Sequence, residues 1–94
     1  MKLRLEVDAG DGPLELVAGT YELVLWERRH SGRVFNIGDG LSLEDLCFLA
    51  YEASKRAKIV VPAVFDDYLK RVEYAKPLGW VMPTPTRPAP AGDD

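Results

Sequence analysis

Ser42-Leu43-Glu44-Asp45-Leu46-Cys47-Phe48-Leu49-Ala50-Tyr51-Glu52-Ala53-Ser54-Lys55-Arg56-Ala57 is the stretch whose reading decides the fold. Ser42 followed three residues later by Asp45 is a capping signature for a helix start. Leu43, Leu46, Cys47, Ala50, Ala53 and Ala57 recur at spacings of three and four, so they share one stripe of a helix over 42–57. Phe48, Leu49 and Tyr51 carry apolar character past half of the circumference. A helix that wide in its apolar face is the central one of a small domain. Lys55, Arg56 and Lys58 complement the negative end of its dipole.

Toward the C-terminus, Phe65, Tyr68, Leu69 and Val72 fall at i, i+3, i+4 and i+7, which predicts a second helix over 62–75. Pro62 suits a first turn. Asp66–Lys70 and Asp67–Arg71 are i,i+4 pairs with the acid first. Lys58 to Val61 is a short connection, so the two helices should be antiparallel neighbours. Pro77 disfavours helix at Lys76 and ends the element. Five of the seven prolines follow residue 76, which predicts an extended, Pro-rich tail over 77–94. Within it Trp80, Val81 and Met82 either fold back on the body or form a short docking peptide.

Toward the N-terminus, Gly32, Gly38, Asp39 and Gly40 predict a loop over 32–41, with Val34, Phe35 and Ile37 dipping into the core. Residues 20–31 fit two patterns. Tyr21, Leu23 and Leu25 alternate as in a strand, and Tyr, Val and Trp favour strands. Thr20 as N-cap, Glu22 in the first turn, Arg28, Arg29 and His30 in the last, and Gly32 just past the end favour a helix. The polar ends tip the choice to a helix. Residues 2–8 alternate strictly, turn formers occupy 9–13, and Leu14 to Val17 resumes the alternation. That is a β-hairpin over 2–17. The expected fold class is α+β: an N-terminal hairpin, then a bundle of about three helices (20–31, 42–57, 62–75), then the tail.

Ninety-four residues suggest one domain, and the tail trims the folding unit to 1–76. A domain of that size buries roughly 60–65% of its unfolded surface, so a partner would help complete its core. Twelve basic against fifteen acidic residues give a net charge of −3, without the footprint of a general nucleic-acid binder. One cysteine and one histidine exclude an intrachain disulfide and a Cys- or His-rich metal site. Met1 to Glu6 alternates charge and leucine, which predicts no secretory leader, and no apolar run approaches the ~18 residues of a membrane span.

No catalytic constellation emerges, and the chain is read as a non-enzyme without cofactor or metal. Cys47 with His30 would be a thiol pair, but Cys47 lies mid-stripe on the most apolar helix and reads as a buried structural thiol. Glu44-Asp45 and Asp66-Asp67 sit in first turns, where the helix dipole explains them. Gly38-Asp39-Gly40 lacks the strand, lysine and spacing of a phosphate loop. Arg28, Arg29, His30 and Arg33 near Trp26 and Phe35 could meet an acidic segment or a phosphate; charges suited to a helix C-terminus are the plainer reading.

Three pieces in this order carry a resemblance: Thr20-Tyr21-Glu22-Leu23-Val24-Leu25-Trp26-Glu27-Arg28, then Ser42 to Arg56 with its Leu49-Ala50-Tyr51-Glu52-Ala53-Ser54-Lys55-Arg56 core, then Val61-Pro62-Ala63-Val64-Phe65-Asp66-Asp67-Tyr68-Leu69. Over about residues 3–75 the chain resembles the tail assembly chaperones of long-tailed bacteriophages, those infecting actinobacteria above all. The resemblance implies a small helical binding protein of the host cytoplasm. Such a protein coats the tape measure protein, assists the tail tube protein to polymerise around it, and leaves before the virion is complete. It also implies helix over 20–31, and a short form ending in 77–94 where a ribosomal frameshift makes a longer product.

On that basis the expected partner-binding residues are Trp26, Phe48, Tyr51, Phe65, Tyr68 and Trp80. They would lie at the apolar edges of the helices and on the tail, and hold client helices in a groove. Homo-oligomers would cover the same surface when no client is present; membrane and nucleic acid are not expected partners. The rival expectation is a virion structural component, a head–tail connector or tail accessory protein whose tail docks on a neighbour. A third is a small DNA-binding regulator using Arg28, Arg29 and Arg33.

Overall fold

A computed structural model describes residues 2–30 and 41–81. Strand β1 (Lys2–Asp8) and strand β2 (Pro13–Ala18) form the predicted antiparallel hairpin, with Leu5 opposite Leu16 and Leu3 opposite Ala18. Asp8 Oδ1 closes the turn by accepting from the Gly10 N–H at 2.8 Å. The period of two sends Leu3, Leu5, Val7, Leu16 and Ala18 to one buried face. The other face carries charge, including an Arg4–Glu15 ion pair at 2.8 Å.

Helix α1 (Thr20–Arg29) settles the ambiguous segment as helical. Gly19, not Thr20, is the N-cap. Its N–H donates to Glu22 Oε1 at 2.8 Å, the half of a capping box that a glycine cap can make. Glu22, Leu23 and Trp26 form its buried face. Helix α2 (Leu43–Arg56) has the predicted cap: the Asp45 N–H donates to Ser42 Oγ at 3.1 Å, and the Ser42 N–H donates to Asp45 Oδ2 at 3.0 Å. Leu46 through Tyr51, with Ala53 and Ser54, are all buried. The wide apolar face therefore marks the central helix, set against the sheet, α1 and α3 (Phe65–Arg71). The helices and the three-stranded antiparallel sheet make the molecule α+β, as expected.

Two boundaries are corrected. The predicted helix 62–75 is confined to Phe65–Arg71, because Val64 is an extended N-cap and Val72 leaves the helix with ψ near 122°. The Pro-rich tail is not wholly outside the fold: Tyr74–Val81 is a third strand, β3, antiparallel to β1, and the sheet order is β2-β1-β3. The folded part thus runs through Val81 rather than stopping at 76. Pro77 is tolerated because β3 is an edge strand and because the register shifts beside it, from Arg4–Gly79 to Leu5–Pro77. Gly79 takes φ +154°, a backbone that side-chain-bearing residues rarely adopt. The expected loop 32–41, with Gly32, Arg33, Val34, Phe35 and Ile37, lies outside the described residues except for Leu41, which packs against the core. The tail from Met82 onward also lies outside them.

Candidate functional site

Helix α2 ends in a Schellman turn. The Lys58 N–H donates to the Lys55 carbonyl at 3.0 Å and the Ile59 N–H to the Ser54 carbonyl at 2.9 Å. Lys58 occupies the left-handed position, φ 62°, that glycine usually fills. The turn throws Ile59-Val60-Val61 across the end of α2 toward α3, and Tyr51 Oη donates to the Pro62 carbonyl at 2.7 Å to hold this connector.

Four of the six expected binding residues meet here. The rings of Phe48 and Phe65 pack edge-to-face at 5.7 Å, Tyr51 and Phe65 lie 5.3 Å apart, and Tyr51 and Tyr68 lie 5.0 Å apart. The Arg29 guanidinium sits over both Phe48 and Phe65, about 5 Å from each centroid. Phe48, Tyr51 and Tyr68 are buried and Phe65 is half-buried. This cluster forms the seam between α2 and α3, so its rings face one another rather than an open edge.

Trp26 stands apart from the cluster and is also buried. Its indole Nε1–H donates to Asp45 Oδ1 at 2.8 Å, and its ring stacks on His30 at 4.2 Å. His30 Nε2 is 3.4 Å from the same carboxylate oxygen. Partial burial pushes the Asp45 carboxyl upward, but hydrogen bonds from Trp26 and Ser42 and the nearby His30 outweigh it and leave its pKa below the usual carboxylate value. Asp45 therefore clips the end of α1 to the start of α2. Trp80 is half-buried against the core from β3, opposite Leu3, so it covers a core edge.

Cys47 is buried, and burial, with the Glu44 charge, pushes its thiol up. That is the opposite of what a nucleophile requires. Glu22 is fully buried, and Arg56 Nη1 reaches its Oε1 at 3.2 Å. Among the described residues no group of three or more His, Cys, Asp or Glu is placed to hold a metal ion. No described helix is long and apolar enough to cross a membrane.

Exposed apolar side chains lie on several faces, Leu43 on α2 and Tyr21 on α1 among them. Val60 is 92% exposed and Val64 56%, flanking the connector, with Leu14 exposed on the hairpin nearby. The short link over 58–61 carries an Ile-Val-Val run between polar helix ends, which is itself a signal of apolar surface. Beside it a cavity of about 190 Å³ opens between the hairpin and the connector, lined by Val7, Leu14, Ile59, Val61, Ser54 and Tyr68 among others. No family model matches the chain, nor does any curated protein or solved structure.

Proposed function

We propose that this protein is a non-enzymatic chaperone of bacteriophage tail assembly that holds helical segments of the tape measure protein in the host cytoplasm until the tail tube protein encloses them. The observation that carries the reading is the order and spacing of the three motifs across residues 20–69. Each is also sound helix chemistry. Together they resemble one family of small binding proteins.

The apolar connector surface supports a binding role. Val60 stands almost fully in water, and Val64 and Leu14 are partly exposed. An amphipathic client helix covers such a surface with its own apolar face. The buried Phe48, Tyr51 and Tyr68 then serve to fix the connector in place, while Val60 and Val64 make the contact.

Co-expression with a tape measure fragment tests the reading: a soluble complex is expected, and an insoluble fragment with an empty pull-down rejects it. Mass spectrometry of purified particles separates it from the virion-component alternative. Absence of the chain fits a chaperone, and stoichiometric presence fits a connector or tail accessory protein.

A further inference from the structure

The sheet has two edges, and they are built differently. On β3 the chain places Pro77, a register shift beside it and Gly79 at φ +154°. Proline removes a donor and a bulge bends the strand, and both discourage a further strand from pairing there. The other edge, β2, carries no such device after Pro13: its register with β1 runs unbroken to Ala18. Among the described residues no strand pairs with its outer side. Its one charged side chain, Glu15, is paired with Arg4 within the sheet, and Val17 on the same face is 46% exposed. A groove of about 460 Å³ runs along this edge, with Glu15, Leu16, Val17 and Gly19 on one side and Ala53 and Ala57 of α2 on the other. The small side chains of the helix leave room there for an added strand.

We propose that a second copy of this chain fills the groove, its β2 antiparallel to the first across a two-fold axis at Val17. Two identical strands paired antiparallel are self-complementary, as a closed dimer requires. Charge fixes the register. Centring on Glu15 would set like charges opposite each other. Centring on Leu16 would set Glu15 against Val17, with no cation from the other copy. Centring on Val17 sets each Glu15 opposite the other copy's Gly19, which presents no side chain. Lys2 lies one strand further on, a step beyond the Leu3–Ala18 pair, and lines the same groove. Lys2 has no ion pair among the described residues. Two strand spacings are about 10 Å, which an extended lysine and glutamate span together. Each copy then supplies one charge to each of two ion pairs that cross the seam. The paired stretch runs from Glu15 to Gly19, so Leu14, Val60 and Val64 stay outside it and the dimer goes beyond the client reading.

Sedimentation equilibrium of the full chain tests the dimer. The wild type should approach twice the chain mass as concentration rises. Val17→Lys, which sets like charges on the axis, should weaken the dimer at least tenfold. Lys2→Glu, at an exposed position without an ion pair in its own chain, should weaken it as well. In Val17→Cys, mild oxidation should link two copies, because axial residues meet directly, while Cys47 stays buried. Val60→Asp/Val64→Asp should leave the mass unchanged, so loss of the client and loss of the dimer are separate results. The proposal is overturned by a wild type that is monomeric at about 1 mM, by masses that climb beyond two copies, or by a dimer indifferent to Val17→Lys or Lys2→Glu. If Val17→Lys does not fold, the Val17→Cys link decides, and its absence overturns the proposal.

Discussion

Asp45 joins three jobs in one carboxylate: it caps α2, accepts the Trp26 indole and faces His30. Asp45→Ala should cost about 1–2 kcal/mol in urea unfolding at pH 7, the range of a lost cap and a lost side-chain hydrogen bond. Because the folded carboxyl titrates below its unfolded value, its contribution is complete above about pH 4 and is lost as the pH falls through the folded pKa. The gap between wild type and variant should therefore narrow on acidification below pH 4. Tyr74 behaves in the opposite sense. Its hydroxyl donates to Glu6, and that bond, followed by desolvation and nearby negative charge, pushes its pKa up to about 12. The protonated phenol is favoured by folding, so its contribution is present below about pH 10 and disappears as the pH rises through 12. An ultraviolet titration of wild type minus Tyr74→Phe should show one phenol ionising near pH 12, and Glu6→Gln should return it toward 10. The Trp26–Asp45 and Glu6–Tyr74 pairings were not legible in the sequence. Ser42–Asp45 was, because its partners are three residues apart, whereas Trp26–Asp45 and Glu6–Tyr74 span 19 and 68 residues.

Periodicity told the truth about the elements whose apolar faces repeat. The hairpin and α2 stand where alternation and the three–four spacing put them, and α1 where its polar ends put it, within a residue or two. It failed where a single residue type was read as punctuation. Pro77 ends a helix in isolation, yet in an edge strand beside a bulge it removes no essential ladder hydrogen bond. The run Tyr74–Val81 was therefore hidden among prolines that mark a tail elsewhere. A chain ending at Lys76 should lose the β1–β3 pairing and with it most of the few kcal/mol of a domain this small. A chain ending at Val81 should keep dispersed amide resonances. Comparing the two by NMR and urea unfolding checks the boundary. The turn after α2 offers a milder probe. Lys58 sits at φ 62°, where an L-residue is strained, and Lys58→Gly should raise stability by about 1 kcal/mol. No change, or a loss, would mean that the left-handed turn is not the conformation held in solution.

At the scale of the whole molecule, one face of the sheet is covered by a wide apolar helix, and Leu3, Leu5, Val7 and Leu16 are buried beneath it. Part of what stays exposed lies where the connector meets the hairpin, with Val60 the most exposed, while Leu43 on α2 and Tyr21 on α1 are exposed elsewhere. The aromatic residues that looked like the sticky part of the sequence are the seam that holds this end together. Residue type alone cannot distinguish a buried aromatic edge from an exposed one, since both need the same spacing. Only the placement of α3 against α2 decides it. A chaperone that depends on the connector makes a sharp claim about two valines. Co-expression of a tape measure fragment with wild type and with Val60→Asp/Val64→Asp, followed by quantifying the soluble fragment retained on the tagged chain, tests that claim most directly. The account predicts a soluble complex with the wild type and at least a tenfold loss with the folded double variant, about 1.4 kcal/mol or more of binding; equal retention by both, or none by the wild type, would contradict it.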